Sequence, residues 1–447
     1  MSAANLSDVR KAGVANELSP SEALYRRALQ VMPGGCSRNA ILRKPHPLYA
    51  VCGRGCYVTD IEGRTWLDFA NNMGSQIHGH APAAVVEAVQ RQLGNGTAFS
   101  MGTEAEIRYA EYMCRRMLNA DRIRFCNSGT EAVMCAIKAA RAFTDRPKIA
   151  KVEGAYHGLY DYAEVSQTAS PKSWGAVEKP ASVPVASGTP ASALAEVVVV
   201  PFNDTARALA ILDGHAADLA GIVIDLIPHR VGVIPADEGF VNALGAWAAR
   251  NGALLICDEV ITFRTTYSGA QQRYAVRPDL TALGKMIGGG FPVGAIAGRE
   301  EVMRVFDPLV SPLRLPHSGT FSANPITMVA GLATMEQFDQ KAVDELNALS
   351  DRARSQLREA IATANVSACV TGAGSMFRIH MKEVPPENYR SAYPTAAESE
   401  RLNKLIGFLE GKGILLINTG TGMLSTAMGS AEIDRLSDAM LQALRQL

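Results

Sequence analysis

"ALLICDEV", residues Ala253–Val260, is a short apolar run that ends in two acids. Its apolar residues are consecutive rather than alternating, which is typical of a strand buried on both faces of a parallel sheet. Helical patterns separate this run from others of the same kind. The other runs are "RIRFCN" (Arg122–Asn127), "KIAKV" (Lys148–Val152), "EVVVVPF" (Glu196–Phe202) and "LAGIVIDLI" (Leu219–Ile227). This alternation predicts an α/β fold, in which helices cover both sides of a mostly parallel sheet.

The chain of 447 residues is expected to contain three parts. Residues 1–70 combine an N-terminal helix with short strands and join the smaller domain. Residues 71–324 form the large domain. Residues 325–447, where long helical patterns precede short strands, form the smaller α+β domain. Within the large domain, residues 166–193 are rich in proline and small polar residues, and a segment of this kind is either a lid or a disordered insertion.

Composition excludes several classes of function. Lys and Arg number 44 and Asp and Glu also number 44, so the net charge is zero and no nucleic-acid partner is expected. No apolar run reaches the roughly 18 residues of a membrane span, so no membrane association is expected either. The eight cysteines form no CxxC pair and no metal-binding pattern, and the N-terminus has no apolar signal region. We therefore expect a reduced, cytoplasmic compartment and no metal site.

The segment "FCNSGTEAVMCAIKAARAF" (Phe125–Phe143) joins a strand directly to a helix. Ser128 and Glu131 have the spacing of a capping box, and apolar residues follow at helical spacing. The free N–H groups at such a helix start, together with the hydroxyls of Ser128 and Thr130, can bind an anion. Capping alone also explains these residues, so the pattern indicates either a stable helix start or a phosphate cradle.

Two charged residues lie beyond the carboxyl ends of strands, where open α/β sheets bind ligands. Asp258 ends the run quoted first, and a buried acid there needs a partner, which is either a structural arginine or a ligand. Lys285 lies in "TALGKMIGGGFPVGA" (Thr281–Ala295), between an apolar run and three glycines. Partial burial would lower the pKa of this lysine and leave a nucleophilic amine, although an ordinary exposed lysine fits the pattern too.

Tyr156 and His157 follow another strand, in "VEGAYHG" (Val152–Gly158), where the tyrosine ring either stacks on a flat ligand or packs in the core. An anion cradle, an acid, an amine and an aromatic ring together match the needs of pyridoxal phosphate. An aldolase with a cofactor-free lysine would not need the cradle or the acid. A nicotinamide dehydrogenase would need a G-x-G-x-x-G motif, which the sequence lacks. A non-catalytic protein on the same fold is a third alternative.

The sequence resembles the class III aminotransferases of fold type I, in the branch with glutamate-1-semialdehyde aminomutase and β-amino-acid aminotransferases. The matching stretches are "VMPGG" (31–35), "DIEGRTWLDF" (60–69), "HGHAP" (78–82), "NSGTEA" (127–132), "AYHG" (155–158), "CDEV" (257–260), "LGKMIGGGFPVGA" (283–295), "HSGTFSANP" (317–325) and "GSMF" (374–377). The resemblance implies a seven-stranded-type sheet sandwiched by helices and pyridoxal 5'-phosphate as cofactor. It also implies amino transfer from an amino donor to a keto-acid acceptor by a homodimer with shared active sites.

The resemblance also implies a role for each matching residue. The cofactor-binding residues are Ser128, Gly129 and Thr130 at the phosphate, Tyr156 and Val260 on the two ring faces, His157 beside them, Asp258 at the ring nitrogen, Lys285 as the Schiff-base lysine, and Thr320 at the phosphate of the partner subunit's cofactor. Lys285, Asp258 and Tyr156 would be the catalytic residues. The glycines after Lys285 would let the backbone and the cofactor lie close together.

The sequence departs from the aminomutase pattern at two places. Asp225 and Leu226 stand where the family usually has Glu-Pro, and the segment after Asp258 is one residue shorter. Both departures count against an aminomutase. Arg38 takes the position of an arginine that binds the substrate carboxylate in β-amino-acid aminotransferases, or it is a surface arginine. The tail "LINTGTGMLS" (416–425) offers no second arginine, so the choice of substrate stays open. The first candidate is an amino acid, either a β-amino acid or one that bears a hydrophobic group.

Overall fold

A computed structural model describes residues 18–447 of the chain. Most of the segment predicted to lack a signal region, residues 1–17, lies outside the described residues. Between Leu18 and Leu447, no helix is both long enough and apolar enough to cross a membrane.

The structure alternates strands and helices along most of the chain. The strands are β1 (Ala50–Arg54), β2 (Tyr57–Asp60), β3 (Thr65–Asp68), β4 (Arg122–Cys126), β5 (Lys148–Val152), β6 (Gly175–Ala176), β7 (Lys179–Pro180), β8 (Val197–Val200), β9 (Leu219–Ile224), β10 (Leu254–Asp258), β11 (Leu280–Gly284), β12 (Gly294–Gly298), β13 (Cys369–Thr371), β14 (Met376–His380), β15 (Ile414–Leu415) and β16 (Thr421–Met423). The α-helices are α1 (Pro20–Leu29), α2 (Asn71–Gly74), α3 (Ala83–Leu93), α4 (Glu104–Arg116), α5 (Gly129–Thr144), α6 (Asp161–Glu164), α7 (Ala191–Ala195), α8 (Thr205–Asp213), α9 (Glu238–Asn251), α10 (Glu300–Met303), α11 (Pro325–Gln337), α12 (Gln340–Ala364), α13 (Tyr389–Ala392), α14 (Ala396–Gly411) and α15 (Ser430–Leu444).

A seven-stranded sheet with the order β4-β12-β11-β10-β9-β5-β8 forms the centre of the fold. The pairs from β11 through β8 are parallel, whereas β12 runs antiparallel to both β11 and β4. The predicted α/β fold with a mostly parallel sheet is thereby confirmed. All five predicted runs contain sheet strands. The antiparallel strand β12, "GAIAG", was missed because its glycines and alanines lack the β-branched residues that mark a strand.

Helix α5 packs against this sheet through a face of small side chains. Ala132, Ala136 and Ala140 are fully buried in the same apolar cluster as the sheet residues Ala220 and Ile256. Small side chains on this face let the helix axis lie close to the sheet. This close packing holds the first turn of α5 at the carboxyl edge of β4.

The two ends of the chain share structure outside the central sheet. The hairpin of β2 and β3 pairs Thr59 with Thr65, and β3 then pairs in parallel with β15 near the C-terminus. Strands β13, β14 and β16 form a second small sheet, and helices α12 and α15 pack together beside it. The N-terminal strands are therefore built into the same unit as the C-terminal residues.

The proline-rich segment 166–193 is ordered and packs against the C-terminal part of the chain. It contains the hairpin of β6 and β7, and the Trp174 ring contacts the rings of Tyr389 and Tyr393 edge-on. Arg390 of α13 donates hydrogen bonds to the carbonyls of Trp174 and Gly175. The structure therefore contradicts the disordered-insertion alternative, because these contacts fix the segment in place. The lid alternative stays a prediction.

Candidate active site

The carboxyl ends of neighbouring parallel strands bring the chemically active residues together. Strand β10 ends at Asp258, β9 is followed by Asp225, and β11 is followed by Lys285. A cavity of about 370 Å³ lies at this edge. Among the residues that line it are Asp225 and eight of the predicted site residues, namely Ser128, Gly129, Thr130, Tyr156, His157, Asp258, Val260 and Lys285. Segments far apart in sequence thus meet at one site, as expected for an open α/β sheet.

The start of α5 forms the anion-binding end of the cavity. The Glu131 N–H donates to Ser128 Oγ at 3.1 Å, which is one half of the predicted capping box. The other half differs, because Glu131 Oε2 accepts from the N–H of Asn127 at 2.6 Å rather than from that of Ser128. As the first residues of the helix, Gly129 and Thr130 have N–H groups with no acceptor inside it. These groups are free to bind an anion.

Gly129 is required at this position for a steric reason. A Cβ atom on Gly129 would lie 2.8 Å from Cγ1 of Val260 on the neighbouring loop. Because Val260 is β-branched, this atom cannot move far from the backbone. The close approach of Gly129 and Val260 therefore depends on the missing side chain. It brings the anion-binding helix start next to the end of β10.

Asp258 is held in a fixed orientation by two donors. Its Oδ2 accepts a hydrogen bond from His157 Nδ1 at 2.8 Å, and its Oδ1 accepts one from the Val260 N–H at 3.0 Å. Burial lowers the pKa of His157, so the imidazole is neutral and carries its proton on the nitrogen that faces the acid. Asp258 is thus an oriented carboxylate at the wall of the cavity, able to pair with a cationic group there.

Asp225 lies beside Asp258 on the same wall. Its Oδ1 accepts a hydrogen bond from the Ile227 N–H at 2.9 Å. Burial, and next the negative charge of Asp258, raise the pKa of Asp225 well above its ordinary value. Asp225 therefore holds its proton to higher pH than an ordinary carboxyl group does. The sequence marked Asp225 only as a departure from a family pattern, and the structure places it in the site.

Lys285 occupies a strained position at the end of β11. Its φ of +52° is in the left-handed region, which is uncommon for a residue with a side chain. Burial lowers the pKa of its amine, and the charges of Asp258 and Asp225 partly oppose this effect. Its Nζ makes no hydrogen bond within residues 18–447. An amine with a lowered pKa and no hydrogen-bond partner in the described chain suits a nucleophile or a base.

The three glycines after Lys285 have different roles. A Cβ on Gly289 would lie 2.4 Å from the carbonyl oxygen of Ala330 in α11, and one on Gly288 would lie 2.6 Å from Val293 Cγ1. Only Gly290 lines the cavity. The expectation that all three make room for a cofactor is therefore wrong for Gly288 and Gly289. They permit close packing of the loop against Val293 and helix α11.

Arg38 and Thr320 are not among the residues that line the cavity. Arg38 Nη1 donates to Asn72 Oδ1 at 3.0 Å, and Asn72 itself lines the cavity. The cation of Arg38 also contributes to the lowered pKa of Lys285, so Arg38 lies at the edge of the site. Thr320 is exposed in the chain described here.

The site fits pyridoxal phosphate on four counts. The N–H groups at the start of α5 provide a phosphate site. Asp258 can pair with the ring nitrogen, and Tyr156, half-exposed in the cavity, offers an aromatic surface. Lys285 supplies an amine without a protein partner. Together with the seven-stranded sheet, these groups define a pyridoxal-phosphate-dependent enzyme of fold type I.

The chain belongs to the class III aminotransferase family, because the family model described as "Aminotransferase class-III" matches residues 41–446. Its cofactor is pyridoxal phosphate. A glutamate-1-semialdehyde 2,1-aminomutase from Methanothermobacter thermautotrophicus is 38% identical over 373 residues, which cover 83% of this chain and 86% of that protein.

Two solved structures are similar over nearly the whole chain. An omega-transaminase from Sphaerobacter thermophilus is 45% identical with a TM-score of 0.94, covering 96% of this chain and 98% of that one. A β-phenylalanine aminotransferase from Variovorax paradoxus is 31% identical with a TM-score of 0.85, covering 94% of this chain and 93% of that one. The resemblance to this family and branch is thereby confirmed.

Proposed function

We propose that the protein is an aminotransferase that moves an amino group between an amino acid and a keto acid, with Lys285 as its catalytic lysine. The observation that carries this proposal is the position of two groups in one cavity. Lys285 has an unengaged amine with a lowered pKa, and Asp258 has a carboxylate fixed by two donors. The identity of 45% to a protein named as an omega-transaminase supports transfer between two molecules.

Each residue of the site would have a defined task. Ser128, Gly129 and Thr130 would hold the phosphate, and Tyr156 and Val260 would contact the ring. Asp258, oriented by His157, would pair with the ring nitrogen. When bound, the cofactor takes up the electron pair released as a substrate C–H bond breaks. Nζ of Lys285 would remove the proton from the substrate carbon and later return it, which requires a neutral amine within hydrogen-bonding reach.

Arg38 would bind the substrate carboxylate. Within residues 18–447 its guanidinium donates only to Asn72, and a guanidinium fork matches a carboxylate. A β-amino acid is the first candidate, because the similar structure from Variovorax paradoxus is named as a β-phenylalanine aminotransferase.

Intramolecular amino transfer is the second candidate function. It is favoured by the 38% identity to a glutamate-1-semialdehyde 2,1-aminomutase. Asp225 and Leu226 in place of Glu-Pro count against it. A panel of α-, β- and ω-amino donors with keto acids, set against glutamate-1-semialdehyde alone, separates the two functions. Conversion of the semialdehyde without a second substrate, and no amino transfer in the panel, would exclude the first candidate.

A cytoplasmic homodimer with shared active sites is part of the same proposal. Thr320 is exposed and does not line the cavity of its own chain, as expected if it serves the partner subunit. A large apolar side chain is exposed at the next residue, Phe321, and others are exposed at Leu309, Phe99 and Met101. Exposed apolar side chains of this kind often mark a protein interface. We also propose the domain division at residues 1–70, 71–324 and 325–447.

The visible spectrum tests the central assignment and separates an enzyme from a non-catalytic protein on the same fold. We expect purified protein to be yellow and to lose this colour on reduction. Lys285→Ala is expected to lack both the visible absorbance and turnover. Lys341→Ala, which changes an exposed lysine on α12, is the matched control. Activity like that of wild type in Lys285→Ala would end the proposal.

A further inference from the structure

Helix α2 (Asn71–Gly74) is a short left-handed turn at the edge of the cavity. Its four residues, in chain order from Asn71, have φ values of +49°, +44°, +56° and +81°. A side chain makes this conformation unfavourable, and asparagine is one of the few residues other than glycine that adopts it readily. Asn72 and the following Ser75 line the cavity. Because backbone strain persists only where the rest of the protein holds it, and is concentrated at ligand sites, this turn points to a function.

Buried groups hold both ends of the turn. Oδ1 of Asp68 accepts a hydrogen bond from the Asn71 N–H at 2.9 Å. At the other end, Nη1 of the fully buried Arg264 donates to the carbonyl oxygen of Gly74 at 3.2 Å. A Cβ atom on Gly74 would collide with Sδ of Met423, so the backbone also packs closely here. The protein therefore fixes the strained backbone of the turn without help from a substrate.

The side-chain amide of Asn72 is engaged at both of its polar atoms. Its Nδ2 donates to Ser75 Oγ at 2.9 Å, and Ser75 Oγ donates in turn to the Asn72 carbonyl oxygen at 3.0 Å. These two bonds fix the orientation of the amide and leave Oδ1 as an acceptor. Oδ1 accepts a hydrogen bond from Nη1 of Arg38 at 3.0 Å. Arg38 is exposed, and within residues 18–447 its guanidinium makes no other hydrogen bond.

An exposed arginine has many side-chain conformations, and a ligand that requires one of them must oppose the loss of this freedom. A rigid acceptor that already holds the guanidinium reduces that cost. We propose that Asn72 is a positioning residue, which holds the guanidinium of Arg38 at the edge of the cavity so that its remaining donors bind the substrate carboxylate. This inference rests on the proposed function, in which Arg38 binds that carboxylate. The left-handed turn thereby favours substrates that carry a carboxylate.

The test uses two ligands that lack an amine and therefore cannot react. Calorimetry would measure the binding of hydrocinnamate, a carboxylate, and of its neutral amide to the cofactor-loaded protein. We expect wild type to bind the acid at least about tenfold more tightly than the amide, since a charge-assisted pair contributes about this much. Asn72→Gly removes the acceptor and keeps a residue that adopts the left-handed conformation. It should reduce the ratio to about threefold or less, while amide binding stays within about twofold.

A double-mutant cycle separates positioning from direct contact with the ligand. Arg38→Ala should reduce the ratio of the two affinities to about twofold or less. Adding Asn72→Gly to this variant should change the ratio no further, because Asn72 acts through Arg38. A further loss in the double variant would show that Asn72 contacts the carboxylate itself, and it would overturn the positioning role.

Two further variants separate the role of Asn72 from the integrity of the turn. Ser75→Ala frees the Asn72 amide and should also lower the ratio, by a smaller factor. Asn71→Gly is the matched control and should leave the ratio unchanged, since the Asn71 side chain donates to the carbonyl oxygen of Leu424 and not to Arg38. An unchanged ratio in Asn72→Gly or Ser75→Ala, an equal loss in Asn71→Gly, or equal affinity of wild type for both ligands would overturn the inference. Selective binding of the acid without any amino transfer would instead overturn the proposed function alone.

Discussion

Asp258 and Glu259 are consecutive acids at the end of β10, and they have opposite roles. Glu259 is fully buried and is not among the residues that line the cavity. Its carboxylate accepts hydrogen bonds from the N–H groups of Ala270 and Gln271 at 2.8 Å each and from the Thr262 hydroxyl at 3.0 Å. Asp258 has two donors and a cavity in front of it. Glu259 thus organises its own loop, whereas Asp258 is left available to a ligand.

Lys151, which is fully buried, and Lys285, which is partly buried at the cavity, differ in the same way. Nζ of Lys151 donates to the carbonyl oxygens of Ala155 at 2.9 Å and Val165 at 2.6 Å, and its side chain is fully buried. These bonds fix the loop that carries Tyr156. Lys285 makes no such bond within the described chain. In both comparisons, polar groups whose hydrogen bonds are made within the protein stabilise the structure. Polar groups that the described chain leaves without a full set of partners are the ones available to bind a ligand or react.

The sharpest test of this comparison exchanges each acid for its amide. Asp258→Asn should lower kcat by about 10²- to 10⁴-fold, because an amide cannot hold a protonated ring nitrogen by charge. It should alter stability little, because Asn Oδ1 can still accept from Val260. Glu259→Gln should instead lower the free energy of unfolding by about 1–3 kcal/mol, since an amide NH₂ would face backbone donors. Steady-state kinetics and denaturant unfolding of both variants check the contrast.

Similar changes in activity and in stability in Asp258→Asn and Glu259→Gln would contradict the proposed contrast between the two acids. A Glu259→Gln protein that folds with wild-type stability and loses as much activity as Asp258→Asn would show that Glu259 acts on the reaction. Thr262→Val is the control, because it removes one donor to Glu259 and should produce a smaller loss of stability than Glu259→Gln.

Substitution of Lys151 has the next largest expected effect, which is on the free energy of unfolding. Lys151→Met should lower the free energy of unfolding by about 1–3 kcal/mol, because it leaves two buried carbonyls without a donor. Burial lowers the pKa of Lys151 to about 7, below its ordinary value of 10.5. Between these two pH values the unfolded chain binds more protons than the folded one. The stability of wild type should therefore rise with pH in this window relative to Lys151→Met.

Denaturant unfolding at a series of pH values measures this difference. A gap between the unfolding free energies of wild type and Lys151→Met that stays constant as the pH rises from 7 to 10 would show that the folded lysine keeps its proton throughout this range. The buried lysine would then be an ion rather than a neutral donor.

Much of the fold could be predicted from the sequence, because buried parallel strands are apolar at consecutive positions. The run 148–152 was predicted with its observed bounds, and the neighbouring runs were within three residues at each end. The acid, the amine and the helix start could also be found, since each directly follows a strand. Strand β12 could not, because its small residues carry no strand signal.

The burial of Arg378 in β14 could not be predicted from the sequence. Arg378 lies within "MFRIH", where a polar residue in a strand reads as one that faces solvent. Its contact with His229 joins segments 149 residues apart, and only the packing of β14 on the loop after β9 makes it buried. Which of Asp258 and Glu259 faces the cavity likewise follows from the loop that folds back onto Glu259.

Asp225 offers the smallest effect and the finest test of the comparison, because it faces the cavity and yet has a raised pKa that favours its neutral form. If its proton is held at neutral pH, Asp225→Asn should keep kcat/KM within about tenfold of wild type, since the amide is neutral and has the same shape. Its Oδ1 can still accept from Ile227. Ionised Asp225 raises the pKa of Lys285, so with this charge present the amine loses its proton only at a higher pH.

The pH dependence of kcat/KM shows whether Asp225 carries a proton at neutral pH. In Asp225→Asn this influence on Lys285 is absent, so the pKa of the amine is lower and the rise of kcat/KM with pH should occur at lower pH than in wild type. Asp225→Ala, which also removes the acceptor for Ile227, should be less active than Asp225→Asn. Loss of more than about 10²-fold in Asp225→Asn at neutral pH would show that Asp225 works as an anion. The wall of the cavity would then carry two negative charges, and the cationic group that it binds would need to balance both.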